Sequence, residues 1–299
     1  MAAIIFYISL PFICLVSILP FPVLYFLSDL LFPVSYYLVR YRKKVVMENL
    51  RNSFPEMEEQ QVRAIARKFY RHFNDVLLET LKLISIRPEN LRRRIRYTNP
   101  EVLTDFYKQG KSVIAILAHF NNWEWTIGLS RATPIQAVVI YKPLHNKYFD
   151  RFIKKMRERH GSELIPMREI LRRMLADKRN KHLTVNAFIG DQSTIWEETQ
   201  FWTDFLHQLT PVYLGAEKMA LKTGHPVVFY HMKKVRRGYY EIEIITLVED
   251  VTQVKEHEIT EKHVRVLEEI IRKNPQYWLW THRRWKLTPK KMAEMKQSS

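Results

Sequence analysis

The chain has 299 residues, with 48 Lys and Arg against 31 Asp and Glu, a formal charge of +17, 46 % hydrophobic residues, 7 Gly and 1 Cys. That length holds one large domain or two small ones around a sizeable core, and the composition excludes a disulfide scaffold, a collagen-like chain and a disordered one. The cation excess points to an anionic partner: nucleic acid, anionic lipid, or an acidic protein or substrate.

Residues 1–39 hold one formally charged side chain, Asp29, so residues 40–299 carry 48 basic against 30 acidic side chains. Ala2 to Leu19 is an uncharged run near the length a helix needs to cross a bilayer core. Pro20 and Pro22 interrupt it, and a second apolar stretch continues through Tyr36, Tyr37 and Leu38 to Arg40, Arg42, Lys43 and Lys44. A cleaved signal peptide would carry a basic start and a small-x-small cleavage site, and neither is present. The reading is an N-terminal anchor (1–39), either one spanning helix with an interfacial segment or a re-entrant hairpin, and a body (40–299). The positive-inside rule places that body on the cytoplasmic side. Cys14 lies in the anchor, so neither an intrachain disulfide nor a catalytic thiol is expected.

In the body, residues 58–86 carry apolar side chains at three- and four-residue steps, from Val62 and Ile65 to Leu81 and Ile84, which predicts one long amphipathic helix ended by Arg87-Pro88. Arg92, Arg93, Arg94 and Arg96 form either a solvated face or a phosphate contact. Asn99-Pro100 reads as a helix start and Gly110 as its stop, followed by a buried strand at Ser112–Ala118. The pattern then predicts a strand at Gln136–Tyr141, a helix through Phe149–Arg159, and a strand at Leu183–Ile189. A helix is expected from Thr210-Pro211 to Gly224, and then strands at Val227–Tyr230 and Tyr239–Leu247 joined at Arg236–Gly238. This alternation argues an α/β domain with a mixed, mostly parallel sheet flanked by helices.

The chemistry concentrates after the first buried strand, in Ala118-His119-Phe120-Asn121-Asn122-Trp123-Glu124-Trp125. Ligands of open α/β sheets bind at the carboxyl ends of strands, where a His serves as general base near neutral pH. Glu124, five residues on in the next helical turn, is positioned to orient the other imidazole nitrogen, with Asn122 as helix cap. The same spacing also fits a core His with a helix-capping Glu. No His or Cys cluster has metal-ligand spacing, so no metal is expected. Trp278, Trp280, Arg283, Arg284, Trp285 and Lys286 mix aromatics with cations, as suits a membrane interface and lipid phosphates, stacked nucleic-acid bases, or a plain core with a basic rim.

The ordered set of motifs resembles the bacterial lipid A late acyltransferases and related membrane lysophospholipid acyltransferases. His119 to Glu124 resembles their H-x4-D/E motif, and Arg40–Glu56 their basic N-terminal segment ending Phe-Pro-Glu. Tyr141-Lys142-Pro143 with Asn146 and Asp150 resembles a Tyr-Arg-Pro…Asn…Asp block. Gly190-Asp191-Gln192-Ser193 resembles an Asp-Gln/His-Asp turn, and Pro275–Lys286 the C-terminal signature. The likeness implies a glycerolipid acyltransferase-like fold. It also implies transfer of an acyl chain from a thioester of acyl carrier protein, or of CoA, to a hydroxyl of a phosphorylated lipid acceptor, a lipid A precursor or related lysolipid.

His119 would be the general base and Glu124 its partner, with no cofactor and no covalent enzyme intermediate. The substrate-binding residues would be Lys142, Asn146, Arg157, Arg159, Asp191, Arg283 and Arg284. Lys142 stands where many relatives have Arg, Ser193 replaces the second acid of the turn, and Arg157 and Arg159 match an Arg-x-Arg pair. The expected setting is the bacterial inner membrane, with a monomeric enzyme and no nucleic-acid partner. The alternatives are a tethered non-catalytic binder of anionic lipid or nucleic acid, and a lysolipid or acyl-thioester hydrolase using the same dyad.

Overall fold

The computed structural model describes residues 2–130 and 132–297. It begins with two apolar helices, α1 (Ala2–Ile18) and α2 (Phe21–Pro33), separated where Pro20 is held in an extended conformation. Beyond Pro33, which withholds a backbone donor, the helix widens to a π-turn at Val34–Leu38. Phe21–Leu38 is thus an apolar helical run of 18 residues, long enough by length to cross a membrane. α3 (Lys43–Ser53) leads to α4 (Glu59–Lys82), which starts with a reciprocal Glu58–Gln61 capping box and buries Val62, Ala66, Phe69 and Val76 on one face. The long helix expected over 58–86 therefore stops at Lys82, where a turn leads to α5 (Pro88–Arg92).

The rest alternates: β1 (Ile95–Tyr97), α6 (Glu101–Lys108), β2 (Val113–Leu117), β3 (Gln136–Tyr141), α7 (Lys147–Glu158), β4 (Glu163–Pro166), α8 (Ile170–Arg179) and β5 (Thr184–Ile189). There follow β6 (Phe201–Phe205), β7 (Gln208–Val212), α9 (Gly215–Thr223), β8 (Val227–Arg236), β9 (Tyr239–Val248), α10 (Glu258–Lys273) and α11 (Thr288–Gln297). The main sheet has the order β1-β9-β8-β2-β5-β3-β4, parallel throughout except for the β8–β9 hairpin, so it is the mixed, mostly parallel sheet expected. β2 is buried along its whole length. Ile114 and Ile116 face one hydrophobic cluster with α4 and α10, and Val113, Ala115 and Leu117 face another with Leu91, Leu103 and Trp125. A strand covered on both faces needs no polar alternation, which is why its sequence is a continuous apolar run.

Two expected elements differ. Thr210 and Pro211 do not open a helix. They lie in β7, which pairs with β6 as a two-stranded antiparallel ribbon outside the main sheet, where an edge strand tolerates proline. Asn99 does not cap α6; its side chain bonds both the N–H and the carbonyl of Ile244 and ties the start of α6 to β9.

The apolar leader lies along α4. Ser28 donates to Asp75 at 2.7 Å, and Tyr25 donates to Glu79 at 2.8 Å. Arg237, beyond the β8 end of the hairpin turn, bridges Asp29 and Asp75. Gly238, in that turn, has φ +73°, and a Cβ there would collide with the Tyr25 hydroxyl, so the turn requires glycine for both conformation and approach. Phe6 of α1 packs its ring against Phe149 and Phe152 of α7. Outward from these contacts, Ile8, Phe12, Leu15, Phe26 and Leu30 remain exposed.

Asp75 is almost fully buried and holds Ser28, Lys234 and Arg237 together. Asp75→Ala leaves the two cations without their shared carboxylate. We expect a loss of about 2–3 kcal/mol, read as a lower Tm in detergent, and faster tryptic cleavage at Arg40 and Arg42 as the leader loosens.

Candidate active site

β2 and β5 pair in parallel with Leu117 opposite Ile189. Two residues past that last pair, at the carboxyl edge of the sheet, stand His119 on one strand and Asp191 on the other. Their side chains meet: His119 Nδ1 lies 2.6 Å from Asp191 Oδ1, and the His119 backbone N–H donates to Asp191 Oδ2 at 2.9 Å. A third donor comes from the C-terminal signature, the indole Nε1 of Trp278 at 2.8 Å from Asp191 Oδ2. Trp278 arrives there because residues 277–279 run antiparallel beside 119–121, with Asn121 N–H donating to Tyr277 O and Leu279 N–H to His119 O.

Burial alone pushes the Asp191 carboxyl upward, but the adjacent His119, its ring and backbone donors, and the Trp278 indole outweigh it and hold the group at about 2. A carboxylate at Nδ1 requires the proton on that nitrogen and leaves the Nε2 lone pair available. In this state Nε2 accepts from the Gln192 amide at 3.1 Å, and the Trp123 ring stands edge-on to the imidazole.

Glu124 does not take the place expected for it. Its carboxylate is bound two-pronged by Arg157 of α7, at 2.8 and 2.9 Å from Nη2, with Nε at 3.2 Å. The imidazole nitrogen that Glu124 was to orient belongs to Asp191. The reason lies in the backbone: Asn121 adopts φ +54° and Trp123–Leu129 is a 3-10 helix, a turn that carries Glu124 toward α7. Asn122 takes the N-cap position of this helix, but its side chain makes no capping bond. Its amide donates to Glu79 of α4, whose carboxylate also accepts from Tyr25 and Tyr240 and whose backbone carbonyl accepts from the Trp125 indole. Burial raises the Glu79 carboxyl to about 7 despite these donors. The loop carrying His119 is therefore pinned from beneath by a buried hub linked to the leader.

His119, Trp123, Glu124, Lys142, Arg157 and Gln192 line a cavity of about 620 Å³. Part of its lining is apolar, including Ile127, Val139, Leu164, Ile170, Phe188 and Met219, while Lys142, Lys154 and Arg157 supply cations. Of the other expected substrate-binding residues, Asn146 and Arg159 are not among the lining residues: Asn146 caps α7 by accepting from Tyr148 N–H, and Arg159 donates to the carbonyls of Leu83 and Ile86. Arg283 is exposed away from the lining. Arg284 is buried, donating to Pro211 O, and burial draws its guanidinium down to about 10. Trp278, Trp280 and Trp285 are all buried, so the C-terminal aromatics form core and do not face an interface. Sequence reading missed Trp278 as part of this arrangement, although the likeness of the surrounding signature marked the segment.

The chain belongs to the bacterial lipid A biosynthesis acyltransferase family, which matches residues 1–287. Membership of that family supports lipid A acyltransferase activity in general for the chain. No curated protein matches the chain.

Around the site, burial holds His263 and His282 at about 4, with Arg284 adding to the effect on His282. Below the ordinary histidine range of about 6.5 the unfolded chain takes up protons that these rings refuse, so the stability these two rings contribute is lost as pH drops from about 6.5 to 4, while the raised Glu79 contributes in the opposite sense. Asp191 is held below its ordinary value, and its contribution is lost only lower, as pH falls from about 4 to 2. Thermal unfolding in detergent across this range should show both losses, and His263→Gln should flatten the upper one.

Proposed function

We propose that the chain is a membrane-attached acyltransferase that moves a fatty acyl group from a carrier-protein thioester to a hydroxyl of a phosphorylated lipid, with His119 as general base oriented by Asp191. The observation that carries this reading is the His119 ring itself. Its Nδ1 is committed to a buried, ionised carboxylate, and it borders a cavity with an apolar wall and cationic side chains. The acceptor hydroxyl takes the place of the Gln192 amide at Nε2 and gives up its proton there. Its oxygen attacks the thioester carbonyl carbon, the C–S bond breaks, and the departing thiolate recovers the proton from the imidazolium. Asp191 stabilises that imidazolium without itself taking the proton. No enzyme nucleophile is required, in keeping with a chain whose single cysteine, Cys14, lies in the leader.

In this reading Glu124 has a substrate role. It fixes the Arg157 guanidinium at the cavity, and Arg157 with Lys142 and Lys154 supplies charge for the acceptor phosphate. The apolar wall receives the acyl chain. The exposed apolar side of α1 and α2 supports attachment to the bacterial inner membrane, and the Arg40–Lys44 cluster supports a cytoplasmic body. The basic body favours an acidic carrier protein as donor.

The test is acyl transfer from labelled acyl carrier thioester to phosphorylated lipid by intact variants. His119→Ala should lose about 10²–10⁴-fold in rate, Asp191→Asn about 10²-fold or more, and Trp278→Phe about 10-fold. Glu124→Gln and Arg157→Gln should raise KM for the acceptor more than they lower kcat. Wild-type transfer by Asp191→Asn together with loss of kcat alone in Glu124→Gln would restore Glu124 as the partner of His119. Release of free fatty acid independent of acceptor would make the protein a hydrolase.

A further inference from the structure

The arginine run after α4 is not used by the catalytic cavity. Arg87, Arg93 and Arg94, together with Lys82 and Asn90, line a second cavity of about 550 Å³, and no residue lines both cavities. Four cations converge here with no acidic side chain in the lining, and among the described residues no carboxylate lies within ion-pair distance of any of the four. Such a cluster repels itself, and burial together with Arg94 lowers Lys82 below the ordinary lysine range. Part of the charge is spent on the fold. Lys82 donates to the carbonyls of Ser17 and Leu19 at the end of α1, and Arg94 stacks on Phe21 at 3.5 Å and donates weakly to Gly238 O. Arg87 and Arg93 are exposed and make no side-chain hydrogen bond or ion pair among the described residues.

The location narrows what such a site takes. The cavity sits at the break between α1 and α2, where its Lys82 holds the carbonyls on either side of the exposed Ile18, and two aromatic side chains, Phe21 and Tyr239, are part of its wall. Cations and aromatics at the end of apolar helices are the arrangement that meets lipid phosphates at a bilayer surface. We propose that this cavity binds the phosphodiester headgroup of an anionic membrane phospholipid, which neutralises the arginine run and fixes the depth of the chain at the membrane. The site is separate from the acceptor's and rests on the membrane attachment proposed above.

The experiment uses the intact chain in detergent, titrated with phosphatidylglycerol or phosphatidylcholine, with bound lipid counted by native mass spectrometry. Wild type should retain phosphatidylglycerol about tenfold better than phosphatidylcholine, and Arg87→Gln/Arg93→Gln should remove most of that preference. Lys111→Gln/Lys181→Gln, which deletes two charges elsewhere, should keep it. An unchanged preference in the arginine variant overturns the proposal. So does displacement of the lipid by inorganic phosphate at equal concentration, which would make this a free-phosphate site. So too does an arginine variant that loses acyl carrier protein binding while retaining phosphatidylglycerol, which would make the run a protein-docking surface. Flotation with vesicles of phosphatidylcholine alone reads the apolar helices separately. Failure of both chains to float would overturn the membrane attachment, and the headgroup site with it, whereas equal flotation with lost selectivity in the variant supports the site.

Discussion

The parallel register of β2 with β5 is the constraint on which this molecule turns. It brings the ends of two strands, 72 residues apart in the chain, to the same edge and the same height, so that His119 and Asp191 meet. A carboxylate buried as deeply as Asp191 is costly unless its lone pairs are filled. The fold fills them with the His119 ring, the His119 backbone N–H and the Trp278 indole. The last of these commits the C-terminal segment to the pair: Trp278 packs against Trp280, Trp285 and Phe205, so the aromatic signature near the chain end is the scaffold of the buried Asp191 carboxylate.

A second buried carboxylate governs the loop that carries His119. Glu79 gathers Tyr25 from the leader, Tyr240 from the sheet and Asn122 from the His119 loop, and its backbone holds the Trp125 indole. One residue of α4 thus ties the apolar helices, the sheet and the His119 loop into one body. The leader is accordingly more than a tether. Its polar side chains Tyr25, Ser28 and Asp29 face α4 and the β8–β9 hairpin through hydrogen bonds, Val16 and Leu24 pack in a buried cluster with Leu78 of α4, and Ile8, Phe12, Leu15, Phe26 and Leu30 stay exposed.

The cations divide into groups with different tasks. Arg157 is fixed by Glu124 at the large cavity, Arg237 joins leader and body through two aspartates, and Arg284 is buried and donates to Pro211 O. Part of the positive charge is therefore committed within the fold, and an overall charge of +17 does not by itself say where an anion binds.

The sequence alone determined the uncharged leader, the α/β alternation, the buried strand before His119 and the family, because apolar periodicity, proline and glycine punctuation and ordered motifs are local or additive signals. It pointed to His119 as the base because a histidine directly after a buried parallel strand falls at the edge where such sheets handle ligands. It paired that base with Glu124 because Glu124 is the near acid in the chain. Only the tertiary structure decided the partner. Which carboxylate reaches Nδ1 depends on the register of β2 against β5 and on a positive φ at Asn121 that turns Glu124 toward Arg157, and neither is encoded within a short stretch of residues. The same limit hid the ribbon at Thr210-Pro211 and the bond from Trp278 to Asp191: a strand pairing and a contact between distant segments exist only once those segments have met.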